Sequence, residues 1–301
     1  MRDLSILIPA RREYWLKRTV DDILSNIEAD TEIIVILDGE WAEPPISDHT
    51  RITLVHHANP VGQRAAVNEA ARLSRAKYVM KADAHCAFDK GFDRKLIEDY
   101  QEGQTVIPRM YNLHVFDWVC ACGDRQYQGA KPEKCDKCGG QYEKEEVWKP
   151  RMSRRTDYAR FDKDLHFQYW RAYERRSIDN DVMCFVGACF FMSRDRYWEL
   201  DGLDENHGSW GQMGVEISCK SWLSGGQLVV NKNTWFSHLF RTQPGFGFPY
   251  NISGSDQEKA REYSRWLWSL EKPDELPRWQ KAVHPLRWLV DKFSPVPNWH
   301  E

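Results

Sequence analysis

Tyr78-Val79-Met80-Lys81-Ala82-Asp83-Ala84-His85-Cys86 is the stretch on which the fold turns. A short β-leaning run ends in Asp-x-His. On extended backbone, residues two apart point the same way, so a carboxylate and an imidazole share one side. Oxygen and imidazole ligands together suit a Mn²⁺-like ion better than Ca²⁺. Asp-x-His alone is equally a surface carboxylate beside a satisfied histidine. What gives it weight is its position, at the end of a buried strand in a nucleotide-type unit.

That unit is legible on both sides. Leu4 to Ile8 is an apolar run closed by Pro9, as expected of a buried parallel strand. Residues 13–28 repeat apolar side chains near a helical period (Trp15, Leu16, Val20, Ile23, Leu24, Ile27). Ile33–Leu37 is a second strand ending at Asp38, and Ile52–Val55 a third. Residues 62–74 form an alanine-lined helix, and Tyr78–Lys81 the fourth strand. This order predicts an α/β half of Rossmann type. Such sheets bind ligands at the carboxyl ends of their strands, where Asp38 and Asp83 fall. Beyond it the pattern predicts a helix over 92–100, a short strand over 105–108 and a buried strand over 184–192. Helices follow near 194–200, 215–223 and 255–270, with a strand at 228–230.

Composition narrows the function. The 301 residues, 42% hydrophobic and 29% charged, describe an ordinary globular chain, and the net charge of −3 gives no global signal for a polyanion. No apolar run is long enough to span a membrane. The N-terminus begins directly in a strand with no secretory h-region. With eight Cys, this points to a reducing compartment, hence a cytoplasmic protein with metal-bound or free thiols.

Four of the cysteines pair closely. Cys120-x-Cys122 and Cys135-x-x-Cys138, each followed by glycine, read as a zinc ribbon too short to fold without its metal. Cys86, Cys184, Cys189 and Cys219 lack such spacing and read as buried thiols. The ribbon segment, 118–148, holds five Lys/Arg against six Asp/Glu, whereas 149–176 holds nine against four. In the latter, Phe161, Phe167, Tyr169, Trp170 and Tyr173 interleave with the basic residues, which suits phosphate contacts and base stacking. An amphipathic surface helix is the plain alternative. The ribbon interrupts the chain between its halves and is placed to wall an acceptor cleft.

At this point the residues resemble a known family. Asp83-Ala84-His85-Cys86 is similar to the Asp-Ser-His-Cys motif of polypeptide N-acetylgalactosaminyltransferases, within the family 2-like GT-A glycosyltransferases. The resemblance extends to Asn59–His85, to Val186–Met192 with Leu203-Asp204-Glu205, and to Trp210-Gly211-Gln212-Met213-Gly214-Val215-Glu216-Ile217-Ser218. It ends at Ser237-His238-Leu239-Phe240-Arg241 with Pro244 and Pro249. It implies a GT-A fold, a mixed Rossmann-like sheet carrying the zinc-ribbon insert. Four segments follow: a nucleotide-sugar half over 1–117, the ribbon over 118–148, an acceptor half over 149–254 and a Trp-rich helical extension over 255–301.

The resemblance implies that Asp83, His85 and His238 hold Mn²⁺ or Mg²⁺ against the diphosphate of a UDP-sugar, with Arg241 adding positive charge. Asp38, Glu13, Arg64 and Trp210 are assigned to the donor, and Glu216 to the sugar or acceptor. One departure stands out. The family's Glu-Asn, Glu-Asp in inverting relatives, is Met213-Gly214 here, so no general base is evident there and a retaining reaction is expected. The implied acceptor is a Ser/Thr polypeptide. The cytoplasmic reading and the basic-aromatic strip point instead to a 5-hydroxymethylpyrimidine in DNA. A non-catalytic zinc and nucleic-acid binding module on this fold is the alternative of a different class.

Overall fold

The computed structural model describes residues 2–174, 176, 179–241, 246–250 and 254–299; Pro244 of the C-terminal motif lies outside them. Four parallel strands form one side of the sheet: β1 (Leu4–Ala10), β2 (Thr31–Asp38), β3 (Ile52–His57) and β4 (Tyr78–Ala82). β1, β2 and β4 are mostly apolar and almost wholly buried because both faces are covered. Helices α1 (Leu16–Asn26) and α2 (Gln63–Leu73) bury the apolar stripes expected of them. The buried Asp93 at the start of α3 (Phe92–Asp99) accepts from the backbone N–H of Glu28 and Ala29 and from the Thr31 hydroxyl, fixing the turn from α1 into β2.

The second half adds β5 (Cys86–Phe88), β6 (Gln104–Cys120), β7 (Arg125–Tyr127) and β8 (Tyr142–Thr156). β9 (Ala159–Phe161) and β10 (Phe167–Tyr169) pair with each other, and Ala159 also bridges Cys184; a turn of helix α4 (Arg171–Glu174) follows, then β11 (Cys189–Ser193) and β12 (Gln227–His238). The sheet order is β3-β2-β1-β4-β11-β6-β12-β5, with β7 and β8 on β6. Helices α5 (Arg194–Glu199), α6 (Met213–Leu223), α7 (Gly254–Leu267) and α8 (Leu286–Lys292) complete the chain.

Three expectations are corrected. The short strand over 105–108 is the root of a 17-residue strand that runs out to Cys120. It is paired with β8 from Met110↔Thr156 to Cys120↔Tyr142, so the excursion begins well before 118 and returns well after 148. Half of residues 149–176 are strand, and they form no long amphipathic helix, because each strand segment finds an antiparallel partner. The apolar run over 184–192 is strand only from Cys189. Gly187 before it turns at φ +90° because Gly214 approaches, and a Cβ on Gly187 would lie 2.8 Å from the Gly214 nitrogen.

A second apolar cluster packs at the root of the β6–β8 ribbon. It holds Trp15, Ala87, Leu113, Val115, Phe116 and Leu239, with Trp118, Trp148 and Phe246 against it. Lys144 lays its ammonium over the rings of Trp15 and Phe116, 4.8 and 4.6 Å from their centroids.

Candidate functional site

Three strands position the candidate metal ligands. Asp83 follows β4, and its backbone N–H donates to Ala188 O at 2.9 Å. His85 sits in the bend before β5; the Thr19 hydroxyl of α1 bonds Ala84 O and Cys86 N, both at 3.1 Å, and clamps the chain on either side of it. His238 ends β12, one register position from His85 because Cys86 pairs with it. Asp83 and His85 therefore lie on a bend between two strands, not on one extended segment, and they still face the same point.

Ligand atoms of Asp83, His85 and His238 lie within 4.8 Å of one another. The two Nε2 atoms are 3.1 Å apart, and His238 Nε2 is 3.2 Å from Asp83 Oδ2. Ligands at right angles, each about 2.2 Å from a central ion, stand about 3.1 Å apart, so the spacing fits an octahedral divalent cation. Glu13, expected at the donor, lines the cleft at this point and accepts from His85 Nδ1 at 3.0 Å and from Arg241 at 2.5 Å. That bond leaves His85 Nε2 as the lone-pair nitrogen. Burial raises the Glu13 carboxyl, but His85 and Arg241 outweigh it and hold the group below its usual range. Burial also pushes His238 down to about 4, keeping it neutral and able to coordinate.

Lys81, missed by sequence reasoning, is wholly buried behind Asp83. Its ammonium donates to Asp83 Oδ1, to Gly187 O at 2.8 Å and to Ala188 O at 3.3 Å. Burial raises Asp83, yet the Lys81 charge, with His238, holds it well below the carboxylate range. Gln63 adds a bond to the same Oδ1 at 3.3 Å. A lysine inside an apolar strand, two residues before an aspartate, was the available signal.

These groups floor a cleft of about 650 Å³. Asp38, Arg241 and Trp210 line it. The Asp38 oxygens accept from the N–H groups of Val61 and Gly62, at 2.5 and 3.1 Å, so this carboxylate also orders the loop into α2. Trp210 stands edge-on to Phe248, 5.7 Å between centroids. His166, Phe167 and Gln168 of the β9–β10 hairpin form a wall, so the wall comes from the segment after the ribbon and not from its Cys-bearing tip. Asp256, Gln257 and Arg261 of α7 line the cleft too, which makes the C-terminal extension part of the site.

Two assignments are corrected. Arg64 and Glu216 do not line the cleft. They form a fully buried pair, Nε to Oε2 2.8 Å, with Arg64 also donating to Gly211 O at 2.7 Å. Glu216 further accepts from Lys220 at 3.0 Å and from the Asp204 N–H at 2.6 Å. They brace the Asp204–Gly211 loop from behind. Burial raises Glu216, but Lys220 and Arg64 hold it down at about 2, while burial pushes the adjoining His207 below its usual range. At position 214 an acid has no room: a Cβ at Gly214 would lie 1.9 Å from Phe185 O, whereas Met213 beside it lines the cleft.

The four ribbon sulfurs also lie within 4.8 Å of one another, Cys120–Cys138 at 3.3 Å and Cys122–Cys135 at 3.6 Å. Tetrahedral zinc with bonds of about 2.3 Å sets its sulfurs about 3.8 Å apart, so the cluster is compatible with zinc. Cys86, Cys184, Cys189 and Cys219 are buried free thiols.

Residues 5–115 match the family described as Glycosyl transferase family 2. Putative polypeptide N-acetylgalactosaminyltransferase 13 of Drosophila melanogaster is 22% identical over 99% of this chain and 57% of its own length. Polypeptide N-acetylgalactosaminyltransferase 6 of Bos taurus is 24% identical over 87% of this chain and 41% of its own. The chain thus spans about half the length of these relatives. A solved structure, GalNAc-T7 with UDP, GalNAc and Mn²⁺, superposes with a TM-score of 0.59 at 18% identity, covering 91% of this chain and 50% of that one. Among the described residues no helix is long and apolar enough to cross a membrane. The chain is a GT-A fold protein with a glycosyl transferase family 2 segment, similar along most of its length to the polypeptide N-acetylgalactosaminyltransferases.

Proposed function

We propose that the protein is a metal-dependent glycosyltransferase that moves a sugar from a UDP-sugar to a hydroxyl acceptor. The observation that carries this is the convergence of Asp83, His85 and His238, at octahedral spacing, on the floor of the cleft. The UDP, GalNAc and Mn²⁺ bound by the structural neighbour support the same reading. Mn²⁺ or Mg²⁺ held by these residues supplies Lewis-acid stabilisation of the diphosphate as it leaves. Arg241 and Trp210 line the same cleft, which supports assigning them to the donor. Glu13 orients His85 and pairs with Arg241. The Cys120, Cys122, Cys135 and Cys138 cluster takes structural zinc.

In this reading the sugar C1–phosphate bond breaks, the acceptor oxygen bonds C1, and the acceptor proton passes to the leaving phosphate oxygen. Gly214 cannot be replaced by an acid, so the chemistry proceeds without the base of inverting relatives and with retention. Proton NMR of the product's anomeric coupling tests this; a β-product from an α-donor refutes it.

Each acceptor class has one supporting observation. The relatives' names favour a Ser/Thr polypeptide. A basic rim favours a 5-hydroxymethylpyrimidine in DNA. His238, Asn112 and Arg151 share one row across β12, β6 and β8, which sets Arg151 about 10 Å from the metal row. There β8 bulges, extruding Met152, Ser153 and Arg154 beside Lys149 and Arg155. The deciding experiment measures Mn²⁺-dependent release of UDP from a panel of UDP-sugars, with hydroxymethylated DNA or a Ser/Thr peptide as acceptor. Absence of turnover with every donor, with nucleic-acid binding retained, would instead indicate the non-catalytic zinc module.

A further inference from the structure

Each carboxylate at the metal centre carries its own cation. Lys81 is bonded to Asp83 and Arg241 to Glu13. The two imidazoles coordinate in their neutral form. The ligand set therefore presents no net negative charge to a divalent ion. Lys81 is the more unusual partner. It is wholly buried, it contacts no solvent, and its ammonium has three acceptors, Asp83 Oδ1 and the carbonyls of Gly187 and Ala188. A buried charge so completely satisfied is fixed in place. Asp83 Oδ1 already accepts from Lys81 and Gln63, whereas Oδ2 lies 3.2 Å from His238 Nε2 on the side of the candidate ligand cluster.

We propose that Lys81 is a positioning residue that makes Asp83 a one-oxygen ligand and cancels its charge, so that the divalent ion is held tightly only together with the donor's diphosphate. This rests on the assignment of Asp83, His85 and His238 as metal ligands. The physical reason is simple: a dication gains little from a neutral protein shell, and the phosphates supply the missing negative charge. The coupling is reciprocal, so the ion strengthens UDP binding by the factor by which UDP strengthens ion binding.

The test is calorimetry and Mn²⁺ electron paramagnetic resonance on the zinc-loaded full chain, with Mn²⁺ titrated alone and with UDP present. UDP is expected to tighten Mn²⁺ binding about 5- to 150-fold. Lys81→Met, checked for folding by circular dichroism, is expected to bind free Mn²⁺ at least about tenfold more tightly and to lose most of the UDP effect. Lys81→Arg, which keeps the charge, is expected to retain the coupling. The proposal is overturned if wild-type protein binds Mn²⁺ equally with and without UDP, a result that needs no variant. It is also overturned if folded Lys81→Met gains no affinity for free Mn²⁺. If wild-type protein binds no Mn²⁺ under either condition, the metal-centre assignment itself falls.

Discussion

The Glu13 carboxylate accepts the Nδ1 proton of His85 at 3.0 Å, and that bond decides which imidazole nitrogen faces the metal. Glu13→Gln retains the size and loses the charge. It is expected to weaken Mn²⁺ binding about 10- to 100-fold with zinc content unchanged. Mn²⁺ dependence of turnover at saturating donor checks this; an unaltered Mn²⁺ requirement would show that Glu13 does not orient His85.

Asp83→Ala removes the ligand that Lys81 and His238 share. Metal-dependent turnover is expected to vanish while elemental analysis still finds one zinc per chain. Loss of the zinc as well would contradict the separation of the two centres.

Cys135→Ser should empty the ribbon of zinc. Structural zinc contributes on the order of 10 kcal/mol to folding small domains, so the tip is expected to open and become protease-sensitive. The root of the ribbon, held by Trp15, Phe116 and Leu239, should stay protected. Limited proteolysis with mass mapping distinguishes the two regions.

Glu216→Gln tests the reassignment of that residue to structure. It leaves Arg64 and Lys220 short of a buried counter-charge, at a cost of about 3–5 kcal/mol. The expected signature is a lower melting temperature with kcat of the folded fraction maintained. The pH dependence follows from the same network. Glu216 is held down at about 2, so its stabilisation is complete above the unfolded value near 4.5 and fades as pH falls towards 2. His207 stays neutral in the fold while the unfolded chain takes up a proton below about 6.5, so acid removes stability there too. Urea unfolding should show wild-type stability declining below pH 6.5 and more steeply below 4.5. The Glu216→Gln variant should show a shallower decline below 4.5, the remainder coming from Asp83 and Glu13, which are also held below the carboxylate range.

Gly214→Ala puts a methyl group 1.9 Å from the Phe185 carbonyl. The Phe185–Gly187 turn must move, and destabilisation of about 3 kcal/mol or more is expected. A thermal melt reads it directly; an unchanged melting temperature would undo the steric account of the missing acid.

Much of the centre was legible from strand ends. Asp83, His85 and His238 stood after apolar runs, and the parallel half of the sheet follows from its unbroken apolar strands. What the chain order did not reveal was pairing. β5 is three residues long and carries no period of its own, yet its bond to β12 is what brings His85 to His238. Glu216 and Arg64 were assigned to the site by their place in the family-like motifs; only the packing of the loop at Asp204–Gly211 shows that they satisfy each other. The β6–β8 ribbon was hidden because its outer strand is mostly exposed and polar, with no core face to imprint alternation.

β6 belongs at once to the sheet that holds His238 and to the arm that ends at Cys120. From Asn112, beside His238, to Cys120 it runs eight residues, a reach of about 27 Å. The Cys-bearing tip is thus set off from the metal row as if by a ruler. A polymeric acceptor gripped at that tip while offering its hydroxyl to the cleft must bridge that span, about eight nucleotides of extended duplex rise. Any chain shorter than this can reach the tip or the cleft, and not both at once.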